Sequence, residues 1–371
     1  MTPPRHDALA RRTTLGARVA VGAATAAVFV IALAPSAAAR ARVEPVRSIP
    51  VRFRVANTNR SGIPCTSDGK AYTVRGHLTG PRGVLAHPHA VTVYFFGYDA
   101  GEWNWRLTDV KGYNHPLEMA RRGHVSVTID ELGYDSSDHP EGMGTCMGAQ
   151  ADMAHQIVGM LRSGRYGARG RRAPRFSEIV LAGHDVGGLV AEIEASVYRD
   201  VDALVEVTWA EQGFTPFIVE RATVSSFDWC TTDPQRAENG QPGSPSGYHY
   251  YTSSPQEFAQ KLFFAPDPRV LAAALRRRNR NPCGMIRSAP DGVFVDKVRA
   301  SEITVPVLIV FGAKDTLVWS RDGERQQQDN FPRSRDKTTV FIPRAGHFPM
   351  LERTAPKFRR VLGGWLARHG A

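Results

Sequence analysis

Two kinds of apolar pattern run along the chain. Strict alternation over residues 51–56 and 72–78 predicts strands with one face turned to solvent. A β-branched and aromatic run at 90–96 and the apolar lead-in at 179–183 predict buried strands, and 124–129, 203–209, 305–311 and 339–342 predict further strands. Between them the period lengthens. Residues 148–161 put Met153, Ile157, Met160 and Leu161 on one helical face. The stretch after Gly183 puts Val186, Val190, Ile193 and Val197 at steps of four, three and four. Residues 353–368 close the chain as a helix. Strand and helix alternate, so the class expected is α/β, a mostly parallel sheet flanked by helices.

The rhythm breaks over residues 211–301. Pro, Gly, Ser and Asn are dense from 231 to 254, and helices are expected near 255–263 and 268–278. Two strands follow, so the sheet is interrupted and not ended. The organisation expected is a core, 41–210 and 302–371, with a cap, 211–301, inserted into it. A chain of 371 residues, 42% hydrophobic and 22% charged, is long and apolar enough to form such a core.

Residues 1–40 stand apart. Arg5, Arg11, Arg12 and Arg18 precede an uncharged, Ala/Val-rich segment over 19–34, and Ala37-Ala38-Ala39 offers a small-residue cleavage site. This predicts a signal peptide and a secreted protein, with Arg11-Arg12 suggesting the twin-arginine route; an uncleaved anchor is the alternative. No later segment is apolar enough to span a membrane. Four cysteines in an exported chain predict two disulfides. Of three possible pairings, Cys65–Cys146 with Cys230–Cys283 is preferred, because the second pair brackets one candidate insertion. The net charge of +11 falls to +7 once the five Arg and one Asp of residues 1–40 are removed. The basic runs Arg171-Arg172 and Arg276-Arg277-Arg278-Asn279-Arg280 read as solvated helix faces, and no nucleic-acid module accompanies them. No ligand spacing argues for a metal, and no cofactor is expected. The partner expected is a small-molecule substrate.

The candidate chemistry lies beyond the carboxyl ends of three strands, where open α/β sheets bind ligands. In Gly183-His184-Asp185-Val186-Gly187-Gly188, small residues flank Asp185 at the spacing of a sharp strand-to-helix elbow. Asp315 follows the 305–311 strand and His347 follows the last one, with Glu211 as a second candidate acid. Nucleophile, acid, His is the α/β-hydrolase order. On the elbow, the Asp315 loop and Ala345-Gly346-His347-Phe348-Pro349-Met350-Leu351-Glu352, the chain resembles the α/β-hydrolase superfamily over most of its mature length. An Asp in the elbow resembles the epoxide hydrolase and haloalkane dehalogenase branches. Leu132-Gly133-Tyr134-Asp135-Ser136-Ser137 and Gly101-Glu102-Trp103 look more like secreted hydrolases with an elbow Ser. Val186 stands where the Asp branches usually carry Trp, and Phe96-Gly97-Tyr98-Asp99 lacks the His and Pro of their His-Gly-x-Pro loop.

The resemblance implies Asp185 as nucleophile, His347 as base, Asp315 as its acid, and backbone N–H groups of Val186 and Tyr98 as oxyanion hole. A carboxylate attacks carbon without a base and forms an ester, which His-activated water then hydrolyses. Epoxides and carbon–halogen bonds suit that first step. An acyl ester does not, since a carboxylate attacking it gives a high-energy anhydride. Donors for the leaving group are sought in Tyr98, Trp103, Trp105, Trp209, Tyr248, Tyr250 and Tyr251. Two other readings stay open: an esterase-like hydrolase of broader specificity, and a binding protein whose elbow Ser has been lost.

Overall fold

The computed structural model describes residues 44–237, 244–318 and 321–371. The expected signal peptide and part of the Ser/Gly-rich stretch of the insertion lie outside the described residues.

The chain opens with an antiparallel pair, β1 (Val46–Ala56) and β2 (Ala71–Pro81), in which Phe53 faces Val74. β1 alternates buried and exposed positions near one edge of the sheet. Then come β3 (Ala90–Phe95), α1 (His115–Ala120), β4 (Ser126–Asp130), α2 (Met147–Ser163), the two-residue β5 (Gly167–Ala168), β6 (Glu178–His184), α3 (Val186–Val197) and β7 (Ala203–Val207). Strands β4 and β7 are buried throughout, as is β6 after its first residue. β6 therefore reads as an apolar run, while β4 and β7 bury Ser126, Thr128 and Glu206 among apolar neighbours. After the insertion follow β10 (Val307–Gly312), α9 (Arg321–Asp329), β11 (Lys337–Ile342) and α10 (Ala355–Arg368). The sheet order is β11-β10-β7-β6-β3-β4-β2-β1-β5, parallel from β4 to β11. The chain leaves β3 for β4 on one side and returns to β6 on the other. The crevice opens at that switch point, beyond the strands' carboxyl ends.

The insertion between β7 and β10 holds α4 (Pro216–Thr223), α5 (Cys230–Thr232), β8 (Tyr248–His249), α6 (Pro255–Leu262), α7 (Pro268–Arg276), β9 (Asn281–Pro282) and α8 (Cys283–Arg299). The expected helices at 255–263 and 268–278 are α6 and α7. α8 had no clear apolar stripe to announce it and contains Pro290. It lies on the core helices: a Cβ on Gly292 would stand 3.1 Å from the Met147 side chain and 3.3 Å from that of Leu189. The disulfides pair as expected. Cys65–Cys146 ties the loop after β1 to the start of α2, and Cys230–Cys283 ties α5 to the start of α8. No helix among the described residues is long and apolar enough to cross a membrane.

Candidate active site

Glycines set the elbow. A Cβ on Gly183 would meet the Gly187 carbonyl oxygen at 2.1 Å, and one on Gly187 would meet that of Phe96 at 2.6 Å. Only bare backbone lets β6, α3 and the end of β3 approach so closely. Between them Asp185 adopts φ 54° and ψ −132°, a conformation that a non-glycine residue holds only under constraint. The result is a side chain raised from the turn, 18% exposed among otherwise buried neighbours.

His347 reaches this carboxylate from the loop after β11. Its Nδ1 lies 2.9 Å from Asp315 Oδ2, and its Nε2 lies 3.6 Å from Asp185 Oδ1, longer than a hydrogen bond. Asp315 is itself fixed, its Oδ1 accepting from the Leu317 N–H at 2.8 Å. The His347 loop is held by residues the sequence did not single out. Nε2 of His184 and Oγ1 of Thr208 each stand 2.9 Å from the His347 carbonyl, and the His347 N–H donates to Leu262 O at 3.0 Å.

Charge follows from this geometry. Burial would lower the His347 pKa, but the carboxylates of Asp315 and Asp185 dominate and raise it to about 10. Burial would raise that of Asp185, but His347, His184 and the Tyr98 N–H hold it below the usual carboxylate range. His184, buried and beside His347, drops to about 3 and stays neutral. At neutral pH the resting site therefore sets an Asp185 carboxylate against a His347 imidazolium.

The other side of Asp185 faces the loop after β3. The Tyr98 N–H donates to Asp185 Oδ2 at 3.0 Å. The approach depends on Gly97, where a Cβ would stand 2.2 Å from that same oxygen. Next in sequence is Asp99, at φ 59° and fully buried. It accepts from the N–H groups of Tyr251 (2.7 Å) and Thr252 (2.9 Å) and from Asn281 Nδ2 (2.8 Å), and pairs with Arg278 at 3.2 Å. This ties the insertion to the loop after β3 and corrects the reading of residues 276–280. Arg278 is buried on Asp99 and 4.3 Å from the Tyr250 ring, and Arg277 pairs with Asp109 at 2.8 Å. The run is a fastening, legible only once the acid it meets is known.

Asp185 and His347 open into an apolar cavity of about 400 Å³. Val186, Tyr98, Trp209 and Tyr251 line it beside Ile218, Val293 and Val318. Tyr98 and Tyr251 stack, with centroids 4.7 Å apart, and the Tyr98 hydroxyl donates to Met285 O at 3.2 Å. Four expected pocket residues lie elsewhere. Trp105 is buried and donates to Phe95 O at 2.8 Å; Tyr248 is buried and donates to Pro140 O at 2.8 Å. Trp103 packs 6.4 Å from Phe348, and Tyr250 lies under the guanidinium groups of Arg278 and Arg280. These aromatics serve packing, because the loops carrying them fold beneath the cavity wall. Trp209 does reach the cavity, but its Nε1 donates to Glu192 at 2.9 Å. Glu211 is not beside His347. It lies in a buried group with Glu192 and Asp296.

Comparisons with known proteins agree with this architecture. A sequence profile described as the alpha/beta hydrolase family matches residues 84–359. Among solved structures, a thermophilic esterase from Thermogutta terrifontis aligns with TM-score 0.58 at 18% identity, covering 86% of this chain and 100% of that one. An enol-lactonase from Burkholderia xenovorans LB400 aligns with TM-score 0.56 at 15% identity, covering 80% and 97%. A monoacylglycerol lipase from Paleococcus ferrophilus aligns with TM-score 0.54 at 18% identity, covering 75% and 94%. No curated protein matches the chain. With a profile covering most of its length, an elbow at the switch point and the sheet order to support it, the chain belongs to the alpha/beta hydrolase family.

Proposed function

We propose that this hydrolase opens epoxides by covalent catalysis at Asp185. One observation carries the proposal: an oxygen of the elbow's own side chain, Asp185 Oδ2, already sits on the Tyr98 N–H at 3.0 Å. With a serine elbow that donor is left for the carbonyl oxygen of the substrate. Here it is matched to the carbonyl of an ester formed on Asp185 itself, while Oδ1 remains to attack carbon. The same contact disfavours the esterase-like reading, since a substrate carbonyl finds the donor occupied.

The choice of epoxide over halide rests on the donors. The Trp209 N–H is bonded to Glu192, so it does not face a leaving halide. Tyr251 lines the cavity, within electrostatic reach of Asp185, and an alkoxide takes a proton from a phenol. Oδ1 attacks an epoxide carbon, the C–O bond breaks, and the alkoxide is protonated by Tyr251. The product is a hydroxyalkyl ester. Esterification removes the Asp185 charge that helped raise the His347 pKa. The imidazolium then returns a proton to the tyrosinate across the cavity and becomes a base. Neutral Nε2 takes a proton from water, hydroxide adds to the ester carbonyl, and the oxyanion rests on the N–H groups of Tyr98 and Val186. Collapse releases a diol and the Asp185 carboxylate. The lining favours a small to medium apolar substrate.

The test is His347→Gln with a panel of epoxides, alkyl halides and activated esters, read by intact mass. An adduct on Asp185 from epoxides alone is the expected result. An adduct from halides alone moves the substrate class. No adduct, with the wild-type protein inert on the panel, overturns the covalent reading in favour of a binding protein. We also propose that the chain is exported, which its two disulfides support. Amino-terminal sequencing of secreted material should begin near Ala41; protein retained with residues 1–40 would refute this.

A further inference from the structure

We propose that His155, Glu194 and Asp200 form a binding site for a first-row divalent transition metal, with zinc as its simplest occupant. The site lies outside the cavity, where α2, α3 and the turn after α3 meet. His155 comes from α2, Glu194 from the last turn of α3, and Asp200 from the turn leading to β7.

Three features of the geometry point to a cation. First, one atom from each residue lies within 4.8 Å of the others. His155 Nδ1 is 2.9 Å from Asp200 Oδ2 and 3.9 Å from Glu194 Oε1. Ligands about 2.0–2.2 Å from a tetrahedral ion stand roughly 3.4 Å apart, which those two separations bracket. Second, the Glu194 side chain is fully buried, and no N–H or hydroxyl donates to either of its oxygens; its polar neighbours are the Asp200 carboxyl and His155. A buried carboxylate without a donor is costly, and a coordinated cation would satisfy it. Third, His155 and Asp200 keep 28% and 29% of their side chains exposed, so the site has a route to solvent and room for a water as fourth ligand.

The surroundings hold the ligands in place. Arg199, at φ 56°, turns the chain back after α3. Arg162 from α2 then grips the Asp200 carbonyl through Nη2 at 2.6 Å. The His155 ring stacks on Tyr198, centroids 4.0 Å apart and 9° from parallel. One imidazole nitrogen with two carboxylates selects zinc-like ions over calcium or magnesium, which prefer oxygen alone. The ion would cross-link α2 to the far end of the helix that begins at the elbow.

The experiment titrates ZnCl2 into the untagged, metal-free full chain by calorimetry, with zinc content read after dialysis and Co²⁺ d–d absorption as a signature of nitrogen/oxygen ligation. One equivalent of zinc is expected, with a raised melting temperature. Glu194→Gln and Asp200→Asn should each weaken binding at least about tenfold, while His347→Gln binds as the wild-type protein does. Glu194→Gln keeps the shape and removes the anionic ligand, so the apo fold is expected to survive it. Asp200→Asn alters only a part-exposed side chain, as a second route. Zinc that is not retained, zinc lost only in His347→Gln, or CaCl2 displacing zinc would each overturn the assignment.

Discussion

Two sets of buried acids share α3 and β7 and end in opposite charge states. At the elbow, Asp185 and Asp315 flank His347, and Asp185 is held ionised although burial opposes it. Two turns along α3, Glu192 meets Glu206, Glu211 and Asp296, and no salt bridge reaches them among the described residues. Their neutral partners are few. Gln327 Nε2 donates to Glu206 at 2.9 Å and to Glu192 at 3.2 Å, and Trp209 donates to Glu192. Burial pushes Glu192, Glu206 and Asp296 well up, reinforced by their like charges, and Glu211 to about 9. Burial opposes ionisation in both sets, and the outcomes differ because only one set has a cationic partner. Asp185 is held ionised by the histidines beside it, and the four acids that lack such a partner are held neutral. Depth alone does not decide.

The largest effect should come from Asp185→Asn, which keeps the shape and removes the charge. Turnover of an epoxide identified by the adduct screen should fall on the order of 10⁴-fold or more. Retained turnover would mean that the ionised member of the comparison does no chemistry. Gly97→Ala attacks the donor side. Its Cβ would stand 2.2 Å from Asp185 Oδ2, so the Tyr98 N–H must move away. Loss of that donor should lower kcat about 10²–10³-fold with the circular dichroism unchanged.

Glu211→Gln probes the neutral set through stability. Its folded pKa is raised to about 9, above the unfolded value of about 4.3. Above the unfolded value the unfolded chain releases a proton that the folded chain retains. Stability therefore declines as pH rises from about 4 to 9. The amide cannot ionise, so the variant should gain roughly 1–3 kcal/mol at pH 8 and little at pH 4, read by denaturant melts. The elbow group runs differently. His347, raised to about 10, contributes stability fully present below about pH 6.5 and lost as pH rises through about 10. Asp185, held low, contributes stability present above about pH 4 and lost in acid. A Glu211→Gln gain that is equal at both pH values would show the cluster to be ionised, as Asp185 is.

The long strands were legible because each is an alternating or an apolar run of the right length, and the elbow because two glycines bracket one acid. Asp185, Asp315 and His347 were legible by chain order, and they meet. What failed turns on a side chain's partner, which the residue's own type and spacing do not show. Arg278 looked solvated until Asp99 appeared across 179 positions. Trp105 and Tyr248 looked like pocket aromatics, but their donors point to Phe95 and Pro140. Glu211 looked like a spare acid because sequence order cannot show on which side of a strand end it lies. The positive φ of Thr208, which carries a hydroxyl to the His347 carbonyl, left no sequence mark at all.

The two sets touch at one residue, which allows the smallest and most discriminating change. Trp209 faces the cavity with its ring and gives its N–H to Glu192. Trp209→Phe keeps most of the apolar wall and deletes that bond. Glu192 is held protonated by burial and by Glu206, so the loss is one neutral hydrogen bond, about 1 kcal/mol in a denaturant melt. Epoxide turnover should change less than about tenfold, because the deleted donor points away from Asp185. Tyr251→Phe, matched in size, should slow ester formation by about 10²-fold. If Trp209→Phe proves the more damaging of the two, its N–H must leave Glu192 and turn to the leaving group during reaction. The cavity would then be built for halide, and the neutral acids behind it would serve as the resting place of a catalytic donor.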